Sequence, residues 1–126
     1  MNKLSALKKI LNTLTETMTD MPIKQKLYPG TSQIWESYGV DDSGEPHGKF
    51  VSYYKNGQIM ETTHYIHGKE HGKYESYYED GTLQRRGSYH YDSLDGKWFL
   101  YYDDGSLWFE GRYRQGMLES YKETVD

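Results

Sequence analysis

The stretch HGKYESYYEDGTLQRRGSYHYDSL, residues 71–94, decides the fold because it recurs on both sides. HGKFVSYYKNGQIMETTHYIHGKE fills residues 47–70, and DGKWFLYYDDGSLWFEGRYRQGML fills residues 95–118. The three copies align without a gap on the frame G-K-aromatic-x-x-Y-Y-x-[ND]-G-x-[IL]. A fixed period of this kind indicates a repeat architecture in which each copy is one supersecondary unit.

Each unit predicts a β-hairpin. Asn56-Gly57, Asp80-Gly81 and Asp104-Gly105 lie between strand-like runs, and such dipeptides are typical of two-residue type I′ turns. Because a two-residue turn sets the register, Tyr54 is expected opposite Ile59, and Tyr53 opposite Met60. The predicted fold is mainly β: an elongated antiparallel meander of consecutive hairpins.

This register separates two faces of the predicted sheet. One face is aromatic or aliphatic in every unit and is predicted to be structural; in the first unit it holds Phe50, Tyr54, Ile59 and Tyr65. The other face differs between units, as a binding surface is free to do. Its candidate partner-contact residues are Tyr53, Met60, Tyr77, Phe99, Tyr101 and Trp108. An N-terminal helix covering this face is an equally weighted alternative.

The segments that flank the repeats have their own patterns. Residues 1–21 predict an amphipathic helix with an apolar stripe whose interface candidates are Leu4, Leu7, Leu11, Leu14 and Met18. Such a stripe needs a partner, which is the chain's own sheet, a second copy in a homodimer, or a foreign protein. Residues 28–46 resemble a degenerate first repeat that caps the array, and residues 119–126 predict a last strand or a tail.

Composition narrows the function. The net charge is −4 and no segment is dense in Lys or Arg, so nucleic acid is not an expected partner. The chain lacks Cys, and it shows neither a signal peptide nor an apolar run of membrane-spanning length. We therefore expect a soluble, cytoplasmic protein without membrane association.

Catalytic and metal-binding patterns are weak. His64, His67 and His71 are close in sequence, but no zinc-type spacing accompanies them, and the repeat already explains His71 through its equivalence to His47. Most carboxylates flank turns, and Glu75 is expected opposite Arg86 as a cross-strand pair. The sequence predicts no enzyme activity, catalytic residue, metal or cofactor.

The repeat frame resembles the variant MORN repeat, and most of all the bacterial and phage proteins grouped as YwqK-like antitoxins. The resemblance covers residues 47–118 clearly and 28–46 weakly, and it implies an elongated antiparallel sheet used for protein contacts. The expected function is a non-catalytic protein-binding module, an antitoxin or inhibitor that acts through the aromatic sheet face or the N-terminal helix. The alternative is an anionic-lipid or choline/glycan-binding repeat protein, because GKWFLYYDDGSLW is similar to cell-wall-binding repeats.

Overall fold

A computed structural model describes Lys3, Ser5, Ala6 and residues 22–124. Apart from Lys3, Ser5 and Ala6, the residues of the helix predicted for residues 1–21 lie outside the described part of the chain. That includes the stripe Leu4, Leu7, Leu11, Leu14 and Met18. The helix and its interface therefore remain predictions.

The strands between Ile23 and Glu123 form one open antiparallel sheet, which confirms the predicted meander of hairpins. Nine strands lie side by side in chain order, and the two-residue strand β5 pairs with the end of β4. The strands are β1 Ile23–Leu27, β2 Ile34–Val40, β3 Pro46–Tyr53, β4 Ile59–Ile66, β5 Lys69–Glu70, β6 Gly72–Tyr77, β7 Leu83–His90, β8 Ser93–Tyr101, β9 Leu107–Arg114 and β10 Met117–Glu123.

The hairpin register is confirmed along most of each unit. In β3 and β4, Gly48 pairs with Tyr65 and Ser52 with Glu61, as a two-residue turn would require. Close to the turn the prediction is wrong, since Tyr53 pairs with Ile59 rather than with Met60. The same shift occurs in the other two units, where Tyr77 pairs with Leu83 and Tyr101 with Leu107.

The cause is a three-residue loop in place of the predicted type I′ turn. The Gly57 N–H donates to the Tyr54 carbonyl (2.9 Å), and the Tyr54 N–H donates to the Gln58 carbonyl (2.8 Å). Gly57 has φ +89° while Asn56 keeps a negative φ, whereas type I′ needs both to be positive. The Asn56 side chain accepts from the Gln58 N–H (2.9 Å), which favours this loop.

Primed turns occur instead at the opposite end of the hairpins. His67-Gly68 has φ values of +44° and +84°, and Tyr91-Asp92 has +43° and +70°. The His67 N–H donates to Nδ1 of His47 (3.1 Å), and the Tyr91 N–H donates to Nδ1 of His71 (3.3 Å). The histidine repeated at the start of the first two units thus holds the turn at the end of the same unit.

A β-bulge after each three-residue loop moves residues between faces. The loop shifts the register by one residue, and an extra residue at Met60, Gln84 or Trp108 restores it. Gln84 and Arg85 both reach the Ser76 hydroxyl, with Gln84 Oε1 3.5 Å away and Arg85 Nε 3.1 Å away, so both lie on the face of Ser76. We call this the aromatic face, and the opposite one, with Glu75, Arg86 and Phe99, the charged face.

The predicted assignment of Ile59 to the structural face is therefore wrong. Ile59 pairs with Tyr53 and lies on the charged face, as do Leu83 and Leu107 in the later units. Direct cross-strand partners share a face, so the extra bulge residue transfers to the aromatic face in their place. Sequence reasoning assumed unbroken alternation from the turn outward, and the bulge breaks it.

The core lies on the aromatic face. Tyr74 is 5% exposed and Trp98 6% exposed, and their ring centroids are 5.4 Å apart. The Trp98 indole lies directly on Gly87, where an added Cβ would be 2.2 Å from the ring. The Trp98 indole N–H also donates to the Ser88 carbonyl (3.0 Å), and the Tyr89 ring meets it edge-on. The glycine therefore makes room for the largest side chain of the core.

Candidate protein-contact site

The structure separates the six predicted contact residues into two groups. By strand register, Tyr53, Tyr77, Phe99 and Tyr101 lie on the charged face. Trp108 lies on the aromatic face, with its ring 6.0 Å from that of Tyr102 and 5.8 Å from that of Phe109. Met60 occupies the same repeat position as Trp108. The bulge explains this separation, and alternation alone does not reveal it.

Tyrosine hydroxyl groups link each unit to the next. The Tyr28 hydroxyl donates to the Tyr53 carbonyl (2.5 Å), Tyr54 to the Tyr77 carbonyl (2.6 Å) and Tyr78 to the Tyr101 carbonyl (2.6 Å). Tyr54 and Tyr78, the second Tyr of the first two Tyr-Tyr pairs, thus connect neighbouring units, as Tyr28 does. Sequence reasoning missed this role. The recurrence of this Tyr in all three units was the available signal.

The last tyrosine of this series differs from the others. The Tyr102 hydroxyl has no hydrogen-bond partner among the described residues, and the side chain is 42% exposed. Beyond Trp108, the Phe109 ring stacks on that of Tyr121 (6.0 Å), and Tyr121 is 60% exposed. We call Tyr102, Trp108, Phe109 and Tyr121 the terminal aromatic cluster. A shallow depression beside it is lined by Leu100, Arg85 and Gln84.

Two of the four charged-face candidates, Tyr77 and Phe99, are engaged within the sheet. Glu75 pairs with Arg86 in the predicted register, yet its carboxylate bonds to Lys73 Nζ (2.8 Å) and accepts from the Tyr77 hydroxyl (2.8 Å). The Lys73 ammonium, followed by the Tyr77 hydroxyl, lowers the pKa of Glu75 despite its partial burial. The Arg86 guanidinium instead lies 4.6 Å above the centre of the Phe99 ring. The Tyr77 hydroxyl and the Phe99 ring are thus both engaged by neighbouring side chains of the sheet.

The histidines are distributed over several local contacts. His67 Nδ1 lies 2.6 Å from Asp41 Oδ2, and this hydrogen bond is the main cause that lowers the pKa of Asp41. Within residues 22–124 and the three described N-terminal residues, no group of three His, Asp or Glu side chains is arranged to hold a metal ion. The Nδ1 atom of His64 lies 3.4 Å from the Lys73 carbonyl oxygen.

Comparison with known families agrees with the repeat geometry. The family described as MORN repeat variant matches residues 46–67, 70–91 and 94–115, which is more than half of the chain. The chain belongs to this family. A search of curated proteins found no match. Each matched MORN unit begins at a residue, Pro46, Glu70 or Leu94, whose carbonyl accepts from the primed turn that closes the unit (2.7–2.9 Å).

In the described part of the chain, the MORN units build an open surface. Both faces of the sheet are lined by side chains from successive hairpins, so neighbouring positions on a face come from different units. Among the described residues, no helix has the length and apolar character needed to cross a membrane. This arrangement suits contact with a large, complementary partner surface.

Proposed function

We propose that this MORN-repeat chain is a non-catalytic protein-binding module that acts in the cytoplasm as an antitoxin or inhibitor of the YwqK-like kind. Its contact site is the terminal aromatic cluster. The observation that carries this proposal is Tyr102, an exposed ring whose hydroxyl has, among the described residues, no carbonyl partner of the kind that its three counterparts have.

The chemistry of the cluster favours a protein partner. Tyr and Trp dominate binding energies at protein interfaces because each buries a large ring and still offers a polar group. In the earlier units, the Tyr hydroxyl donates to a backbone carbonyl on a neighbouring strand. A partner that presents a backbone carbonyl to Tyr102 would repeat that bond.

The cluster is also held in place before binding. Phe109 covers Gly111, where an added Cβ would lie 2.8 Å from the Phe109 ring, and Leu118 approaches the same position to 3.0 Å. The Thr124 N–H donates to the Trp108 carbonyl (3.0 Å), which fixes that backbone. A preorganised surface loses less conformational entropy on binding, and this supports a role in stable recognition.

The test is affinity capture by the tagged full chain from its native cytoplasm, with Trp108→Ala beside it. We expect one stoichiometric protein that the variant fails to retain. Trp35→Ala is the matched control: Trp35 has the same repeat position, is 40% exposed and stacks on Tyr28 as Trp108 contacts Tyr102. Its partner binding should be unchanged. Thermal melting shows whether each variant is folded.

A second variant distinguishes the two sheet faces. If Phe99→Ala abolishes capture while Trp108→Ala retains it, the contact site is the charged face and the cluster assignment is wrong. If the wild-type chain retains no protein, the binding-module proposal fails. Flotation with anionic vesicles would then test the hypothesis of lipid binding, and elution from an amine column by choline would test the hypothesis of choline binding.

A further inference from the structure

A basic depression lies on the charged face, between β8, β9 and β10. Lys97 pairs with Arg112, Arg112 pairs with Ser120, and Glu110 pairs with Lys122, so these side chains share one face. Together with the backbone at Gly111 and Tyr121, they line a concave volume of about 230 Å³. This is smaller than the pockets that hold drug-sized ligands, and it suits a small ionic group.

The charges in this depression are unbalanced. Three cations face a single carboxylate, and the one ion pair, between Lys97 Nζ and Glu110 Oε1, is long at 4.0 Å. Among the described residues, no carboxylate lies within 4.0 Å of Arg112 or Lys122. Two positive charges therefore remain available in a chain whose net charge is −4.

A bulge in β10 creates this imbalance. In the preceding unit, Asp95 pairs with Ser88, and the corresponding residues one unit later are Glu119 and Arg112. The register shift between Leu118 and Ser120 places Ser120, not Glu119, opposite Arg112. Glu119 instead bonds to Nε of Arg114 (3.1 Å). The carboxylate that the repeat would set against Arg112 is thus replaced by a hydroxyl.

We infer that this depression binds a phosphoryl group. A guanidinium donates two parallel hydrogen bonds to phosphate oxygens, an ammonium contributes a mobile point charge, and a hydroxyl donates a further bond. Arg112, the two lysines and Ser120 supply these groups from one face. The phosphoryl group belongs either to a free phosphate compound or to a phosphorylated side chain. The site lies on the face opposite the terminal aromatic cluster and does not depend on the proposed function.

The experiment is a titration of the ¹⁵N-labelled full chain, followed by NMR at constant ionic strength. The probes are inorganic phosphate, a short peptide carrying one phosphoserine, and the same peptide without phosphate. We expect saturable shifts of the amides of Gly111, Arg112 and Ser120 with the two phosphate probes. Arg112→Gln should weaken binding about tenfold, because a charged hydrogen-bonding partner is lost.

Lys49→Gln is the matched control, because Lys49 has the repeat position of Lys97 but lies in the first unit, away from the depression. Its binding should equal that of the wild type. Tighter binding of the phosphopeptide assigns the site to a phosphorylated side chain, and equal binding assigns it to a free phosphate compound. Shifts that do not saturate, that occur in Arg112→Gln with the affinity of the wild type, or that the unphosphorylated peptide reproduces would overturn the inference. Trp108→Ala should leave this binding intact, which separates the two proposals.

Discussion

The two faces of this sheet are built from the same strands, yet they differ in how tightly they are packed. On the aromatic face, Trp98 lies on the bare backbone of Gly87, and Tyr74 packs beside it. On the charged face, Phe99 is half-buried under Arg86, and Glu75 bonds to Lys73 and to the Tyr77 hydroxyl. A single-layer sheet can thus concentrate its core on one face, which leaves the other face open to change with little effect on folding.

The largest expected effect comes from filling the space under Trp98. Gly87→Thr places a Cβ about where the indole now lies, and the ring must move off the strand. We expect a loss of about 3 kcal/mol in the free energy of unfolding, the upper range for overpacking. Urea denaturation followed by tryptophan fluorescence measures it.

The boundary between the first and second units supplies the compensating change. There Thr63 of the first unit occupies the position of Gly87, and the smaller Tyr74 of the second unit occupies the position of Trp98. Adding Trp98→Tyr to Gly87→Thr reproduces that pair, so the double variant should be more stable than Gly87→Thr alone. If the losses in the free energy of unfolding caused by Gly87→Thr and by Trp98→Tyr simply add in the double variant, the ring at position 98 does not pack against position 87.

A smaller effect is expected from the ionisation of a tyrosine on the aromatic face. Burial, reinforced by the nearby Glu70, raises the pKa of Tyr65 from 10 to about 12. A raised pKa stabilises the fold while the hydroxyl is neutral, and this contribution is lost as the pH rises from 10 through 12. Over that pH range, the free energy of unfolding of the wild type should fall by about 2 kcal/mol relative to that of Tyr65→Phe, with partial solvent exposure of the ring taken into account.

Chemical denaturation at pH 8 and pH 11.5 measures this difference. Tyr89→Phe should act in the same direction, because burial also raises the pKa of Tyr89. If the pH profiles of the wild type and both variants superimpose, the aromatic face does not exclude water as the structure indicates.

The smallest effect is expected on the charged face. Lys73→Gln removes the 2.8 Å ion pair with Glu75, but the Lys73 side chain is 73% exposed, so we expect a change below about 0.5 kcal/mol. The pKa of Glu75 should rise towards its ordinary value, since Lys73 is the main cause that lowers it. The small contribution of the Lys73–Glu75 pair to the free energy of unfolding is therefore present at neutral pH, and it is lost as the pH falls through the lowered pKa of Glu75.

An NMR titration of the Glu75 carboxyl carbon measures this shift. Lys49→Gln is the control, since Lys49 forms no ion pair with any described residue. A stability loss above about 1 kcal/mol for Lys73→Gln would show that the charged face also carries the fold, and the contrast between the faces would fail.

The sequence predicted the hairpins, their order and most of their register, because the period and the Asn/Asp-Gly dipeptides determine these features locally. It did not predict the loop type, because Asn-Gly suits both two-residue and three-residue loops, and the Asn56 bond to Gln58 decides between them. The side of the sheet on which Trp108 lies depends on a β-bulge, and no residue type in the sequence indicates that bulge. The bulge at Glu119, which leaves Arg112 without a carboxylate, is hidden for the same reason.

The tyrosine hydroxyl bonds between units have a consequence for how such a chain changes in length. Between the first and second units, and again between the second and third, a Tyr hydroxyl bonds to a carbonyl 23 residues later in the chain. A duplicated 24-residue segment inserted between the second and third units could accept a Tyr hydroxyl bond from the second unit. It could also donate its own Tyr hydroxyl to a carbonyl of the third unit. The number of units in the array can therefore change while the sequence of each unit stays the same.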